Sequence, residues 1–184
     1  YANLGYIILG AIVDRVTGRS WETALATDVM SPLGIAHYGF GSPGTQGVLD
    51  QPRGHEDGHP VEPGADADNP PVYNSAGRLH IRLRDWMKFA EDQMNGPTGG
   101  GRLLRRETYA RMQAPVGDSD YGFGWGRIMI AGHASSQHAG SNTLWYALIS
   151  LLPDCHGVLL LTTNDGSVKA AQFSERNACF ARGP

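Results

Sequence analysis

The sequence predicts an α+β protein in which helices come first and an antiparallel sheet comes last. Three observations carry that reading. Outside the stretch from Tyr38 to Pro71, the segments before about residue 113 carry apolar residues at a spacing of three and four. Beyond that point the apolar runs are short, aromatic or aliphatic, and bounded by glycine or turn residues, as strands are. A final stretch returns to helical spacing and is expected to pack on the sheet as a C-terminal helix. The length of 184 residues suits about one domain, and a hydrophobic share of 41% supports a core.

The first helix is expected over Leu4 to Val16, where Leu4, Ile7, Ile8, Ala11, Ile12 and Val16 form one stripe expected to be buried. Gly18 stands where a left-handed C-cap would end it. Ser20 caps a second helix over Trp21 to Met30, with Leu25, Val29 and Met30 inward, stopped by Ser31-Pro32-Leu33-Gly34. From Tyr38 to Pro71 glycine and proline dominate and no period survives. This reads as a long irregular excursion with a short hairpin at Asp57-Gly58, of a length that usually carries function or covers a site.

Helix three runs from Arg82 to Asn95, with Leu83, Trp86, Met87, Phe89, Ala90 and Met94 apolar, and Gly96-Pro97 breaks it. A short fourth helix covers Glu107 to Gln113. Strands follow over Tyr121 to Ile130, Leu144 to Leu152 and Val158 to Thr163, the last two joined by Pro153-Asp154-Cys155-His156-Gly157. The tail from Val168 to Phe180 is helical through Ala171, Phe173 and Ala178. A helical region 1–115 containing the irregular loop 38–71, and a strand-and-helix region 116–184, are expected to be parts of one domain.

Composition narrows the function. The net charge is −3 and no block of five like charges occurs, so nucleic acid is not the expected partner. No apolar run approaches the ~18 residues of a membrane span. Tyr1 is not an initiating methionine, so any start or targeting segment is expected to lie outside this sequence. Two cysteines are too few for a disulfide scaffold and lack the CxxC spacing of zinc or redox sites.

Several short stretches carry a resemblance. They are Tyr1-Ala2-Asn3 with Leu4-Gly5-Tyr6, and His138-Ala139-Gly140-Ser141 opening a strand pair. Between and after them come Asn74-Ser75-Ala76-Gly77-Arg78-Leu79 leading to Arg84-Asp85-Trp86, then Tyr121-Gly122-Phe123-Gly124-Trp125, then Leu152-Pro153-Asp154 through Thr163-Asn164. In this order and spacing the chain resembles the serine β-lactamase-like family, especially class C β-lactamases and their esterase and peptidase relatives. That family has an S-x-x-K nucleophile motif, a Y-x-N motif, and a K-T-G or H-x-G motif on the edge strand. The resemblance covers nearly the whole chain and implies an incomplete β-lactamase/transpeptidase-like fold.

It further implies a hydrolase that opens amide or ester bonds of a small-molecule or peptide substrate through an acyl-enzyme, without metal or organic cofactor. Acyl transfer needs a base, a proton donor for the leaving group and N–H groups facing the oxyanion. By resemblance Tyr1 is the base, which requires neighbouring positive charge or a proton relay because a phenol ordinarily titrates near 10. Asn3 supplies an amide that donates and accepts. His138 stands where the family often has lysine, keeping a donor but weakening the charge on Tyr1 and making it pH-dependent. Gly140 lets substrate lie close to the strand, and the Ser141 N–H is half of an oxyanion hole. Trp125 is the tryptophan expected near enough to touch substrate, with Trp86 and Trp145 in the core or cleft wall.

No serine in the sequence is followed three positions later by lysine; the two lysines are Lys88 and Lys169. The chain is therefore expected to lack the nucleophile, to be inactive alone, and to expose apolar surface that drives self-association or binds a missing N-terminal segment. A non-catalytic binding or complementation module of the same fold is the rival reading. A second rival is a zinc hydrolase, because His55-Glu56-Asp57-Gly58-His59 satisfies H-E-x-x-H. That motif needs a helix, which Gly54, Gly58 and Pro60 oppose. A Cys155–Cys179 disulfide is left open: rough element lengths leave a gap of about 12 Å for the turn to close. Such a bridge would point to a periplasmic or secreted location.

Overall fold

Helix α1 spans Asn3–Thr17 and ends at Gly18, whose φ of 68° is the left-handed cap that glycine adopts freely. The computed structural model of the protein describes residues 1–130, 132–167 and 169. The face that α1 buries differs from the expected stripe. Tyr6, Gly10, Val13 and Asp14 turn inward together with Ile7, the one half-buried member of the expected stripe, while Leu4, Ile8, Ile12 and Val16, a row at i, i+4 spacing, are exposed along with Leu9 and Ala11. Gly10 decides this. A Cβ there would lie 2.2 Å from Ser75 Oγ, so the missing side chain is what lets the Pro71–Ala76 turns close onto the helix. Ser75 Oγ then donates to the Tyr6 carbonyl at 2.7 Å.

Ser20 caps α2 (Trp21–Leu25) by accepting from the Thr23 N–H. The helix continues through a widened turn, Ala26–Met30, into the short α3 (Ser31–Leu33), and stops at Gly34 with φ 66°. It thus runs three residues past the expected end, because Pro32 falls in the first turn of α3, where a missing N–H is harmless. Met30, Leu33 and Ile35 form a small core with Leu25, Val29, Tyr38, Ile81, Phe89 and Leu103 around it.

The irregular excursion holds β1 (Tyr38–Phe40) and the two-residue strands β2 (His55–Glu56) and β3 (His59–Pro60). The last two form the hairpin expected at Asp57-Gly58, both residues having positive φ. A strand the periodicity missed, β4 (Leu79–Ile81), pairs antiparallel with β1. Helix α4 (Leu83–Asn95) and helix α5 (Arg106–Gln113) lie within one residue of expectation.

The main sheet is antiparallel, in the order β5 (Gly126–Ile130), β6 (His133–Ser141), β7 (Tyr146–Leu152), β8 (Gly157–Thr163). Strand β5 begins five residues later than expected because Gly122 and Gly124 keep the preceding segment bent. Gly124 has φ 89°, and a Cβ on Gly122 would meet the Ala114 carbonyl oxygen at 2.3 Å. Strand β6 is longer than the four residues that the motif marked. Helix α4 packs on β7 and β8 through a core of Ala90, Trp125, Ile149 and Leu151, flanked by Trp86, Met87, Phe89, Met94, Val158 and Leu160. Trp125 is therefore a core residue, 5% exposed, and does not line a cleft. The helix expected over Val168 to Phe180, apart from Lys169, lies outside the described residues, as does Cys179; Cys155 is exposed with a free thiol.

Candidate active site

The register of the sheet creates the site. Gly126, the first residue of β5, pairs with Gln137, so β6 is covered on that side only as far as Gln137. From His138 to Ser141 the strand is paired with β7 alone. The turn after it fixes which groups face outward. The Asn142 N–H donates to the Trp145 carbonyl, and backbone N–H groups alternate along an antiparallel strand, so the Ser141 N–H points away from β7. Ala139, Gly140 and Ser141 are exposed, and a Cβ added to Gly140 would meet only open space.

Against this open edge stands the start of α1. The Tyr1 ring lies 6.0 Å from the His138 ring, 5.4 Å from Tyr6 and 5.7 Å from Tyr121, centroid to centroid. Its phenol donates to Asn3 Oδ1 at 2.7 Å. The structure thus brings Tyr1, Asn3 and His138 together, with Gly140 and Ser141 farther along the same strand edge. Partial burial against these rings, and then the neighbouring Tyr6, raise the Tyr1 phenol above its ordinary titration range. Among the described residues no ion pair involves His138.

Two groups in this cluster were not among the expected site residues. Tyr121 hydrogen-bonds His138 Nδ1 at 3.0 Å, and Tyr6 adjoins both Tyr1 and Tyr121. Burial, then a hydrogen bond with Tyr6, push the Tyr121 phenol well above the usual range. Burial also lowers the His138 imidazole, partly offset by a hydrogen bond to the Gly124 carbonyl. Both tyrosines adjoin a glycine inside stretches that carried the family likeness. For Tyr121 the available signal was its place beside Gly122 at a bend, whereas Gly5 next to Tyr6 lies within α1 and gave none.

The edge is braced from behind. Asn142 Oδ1 accepts from the Leu144 and Trp145 N–H groups, and its Nδ2 donates to the buried Asp68, which Arg78 pairs at 3.6 Å. Ser141 Oγ donates to the Gly166 carbonyl and accepts from the Thr143 N–H. Thr143 has φ 77°, a strained value for a β-branched residue, which these bonds hold in place.

The zinc reading fails on geometry. His55 lies in β2 and His59 in β3, on a hairpin and not on a helix, and His55 Nδ1 bonds the Asn164 carbonyl oxygen. Among the described residues no group of three or more His, Cys, Asp or Glu is placed to hold a metal.

Comparisons with known proteins agree with this architecture. The chain is 27% identical to penicillin-binding protein 4 of Amycolatopsis lactamdurans, over 90% of this chain and 47% of that protein. Its structure resembles a D-amino acid amidase from Ochrobactrum anthropi, with TM-score 0.77 and 20% identity over 99% of this chain and 57% of that one. It also resembles an octameric penicillin-binding protein homologue from Pyrococcus abyssi, with TM-score 0.76 and 20% identity over 98% and 42%. The chain spans about half the length of the relatives it matches. A family model described as Beta-lactamase matches residues 1–177, taking in both the Tyr1 helix and the His138 edge, so the chain belongs to the beta-lactamase family.

Proposed function

We propose that this chain contributes the proton-transfer and oxyanion side of an acyl-transfer cleft in a serine hydrolase, and that the attacking hydroxyl belongs to polypeptide outside this sequence. The observation that carries it is the Tyr1 phenol held by Asn3 and packed 6.0 Å from His138 beside the uncovered edge of β6. In the reaction the serine hydroxyl gives its proton to Tyr1 Oη as its oxygen bonds the substrate carbonyl carbon. Charge then gathers on the carbonyl oxygen at the Ser141 N–H, and Tyr1 returns the proton to the leaving amine or alkoxide. In this chain the Tyr1 phenol is raised, so the base role requires positive charge brought by the missing segment, as the lysine of S-x-x-K would bring it.

Neighbours named as an amidase and a D-stereospecific amidohydrolase support an amide bond in a small-molecule or peptide substrate. The homologue described as octameric lends support to self-association. The missing S-x-x-K favours one rival, a non-catalytic binding or complementation module. The test is covalent labelling by a fluorophosphonate or a penicillin, followed by mass spectrometry. The expected result is no adduct on this chain alone. In a longer polypeptide carrying S-x-x-K, an adduct is expected whose formation slows about 10²–10⁴-fold on Tyr1→Phe. An adduct on this chain alone, or an unaffected Tyr1→Phe rate, overturns the reading; a longer polypeptide that forms no adduct favours the module.

A further inference from the structure

We propose that Tyr121 is a positioning residue acting through His138: its phenol donates to Nδ1 and locks the imidazole as the Nε2–H tautomer, whose N–H bonds the Gly124 carbonyl. This deepens the hydrolase reading and rests on it for its catalytic meaning.

The loop before β5 is shaped to deliver both contacts. Tyr121 is bridged to Gly126 and the Gly122 N–H donates to the Trp125 carbonyl, which closes these six residues into a tight bend. Only glycine fits at Gly122, against the Ala114 and Met112 carbonyls, and Gly124 adopts φ 89°. The bend sets the Tyr121 hydroxyl 3.0 Å from Nδ1 and gives the imidazole a second partner at the Gly124 carbonyl. With Nδ1 taken, the carbonyl falls to Nε2.

Proton accounting selects one arrangement. A carbonyl oxygen only accepts, so the nitrogen facing it must carry the proton. In a neutral imidazole the other nitrogen is then a lone pair, and a phenol hydroxyl is its complement. The reverse tautomer would set the Nε2 lone pair against the Gly124 oxygen, acceptor against acceptor. The groups facing the ring are Tyr1 from the start of α1, and Tyr121 and the Gly124 carbonyl from the bend. Burial keeps the imidazole neutral and the Tyr121 phenol protonated, in agreement with that assignment.

The catalytic consequence is specific. Both ring nitrogens are engaged, so His138 offers Tyr1 a fixed neutral ring and neither a mobile proton nor a positive charge. The electrostatic help expected of His138 then has to come from elsewhere, and the phenol of Tyr1 keeps Asn3 as its partner.

The test is long-range 1H–15N correlation spectroscopy on the 15N-labelled chain at neutral pH, with no substrate. The expected result is a pyridine-type Nδ1 and a pyrrole-type Nε2 on His138. A pyrrole-type Nδ1, or shifts averaged between the two forms, overturns the proposal. In Tyr121→Phe, Nδ1 should move downfield to the position of a lone pair without a donor, a signature that loss of packing alone does not give. An unmoved Nδ1 overturns the role of Tyr121. If that variant does not fold, a slowly exchanging Tyr121 hydroxyl proton coupled to Nδ1 in the unaltered chain decides the matter, and its absence counts against the proposal. None of these readouts needs turnover, so an inert longer enzyme with the expected tautomer would sink the hydrolase reading and leave this one standing.

Discussion

At the scale of single residues, buried charge is where the chain commits its stability to a pH window. Asp85, in the first turn of α4, is buried and receives Lys88 Nζ at 2.6 Å and His37 Nδ1 at 2.9 Å. The Lys88 bond first, then His37, pull its carboxyl from 3.8 down to about 2. A carboxyl depressed in the folded state stabilises the fold above its unfolded value, and that contribution is lost as pH falls through the folded one. The urea midpoint is therefore expected to drop between about pH 4 and pH 2. Asp85→Asn should lower the midpoint at neutral pH and flatten the acid limb in that window. An unchanged acid limb in the variant would show that Asp85 is not the group responsible. Asp85 lay inside a stretch quoted for the family likeness, yet nothing in the sequence pointed to His37, 48 positions earlier, as its partner.

At the scale of elements, the legible part of the sequence was whatever local periodicity or turn chemistry decides. Helices α4 and α5 and the Asp57-Gly58 hairpin fall where spacing and turn residues put them. Strand β4 was illegible because its three residues pair with β1 across 42 intervening positions in register Tyr38 to Ile81, a contact that no window along the chain contains. The same holds for the brace behind the site. Asp68 was read as one residue of an irregular loop, yet it ties that loop to the turn after β6 through Asn142. Asp68→Ala leaves Asn142 Nδ2 and Arg78 without their carboxylate, a loss of about 1–3 kcal/mol. Hydrogen exchange should accelerate at the Leu144 and Trp145 amides, which Asn142 holds, while α4 amides stay protected. Equal acceleration in α4 would mean that Asp68 supports the whole fold and has no local role at the strand edge.

At the scale of the whole molecule, most of the face of α1 that the sequence assigned to the interior points outward, Ile7 alone of that stripe being half-buried. Period alone identifies a stripe but not its direction, and two rows competed here. The aliphatic row had more apolar area; the row through Tyr6 and Gly10 had the one position where a neighbouring turn could approach. Close approach at Gly10 won, and Leu4, Ile8, Leu9, Ile12 and Val16 were left at 49–78% exposure, with Val16 the most exposed. Monomeric proteins rarely present a contiguous apolar patch above a few hundred Å². Four of these side chains follow one another at every helical turn, so two copies of α1 laid against each other bury the row along its length. Sedimentation velocity on the chain alone is expected to show concentration-dependent association, and Ile8→Lys with Ile12→Lys should return it to a monomer with α4 and the sheet intact. Both substitutions lie on solvent-facing positions of a helix that Tyr6 and Gly10 anchor from the other side, so they test the patch and not the fold. A chain that stays monomeric at high concentration, or a double variant that associates as before, would place the driving surface elsewhere than on α1.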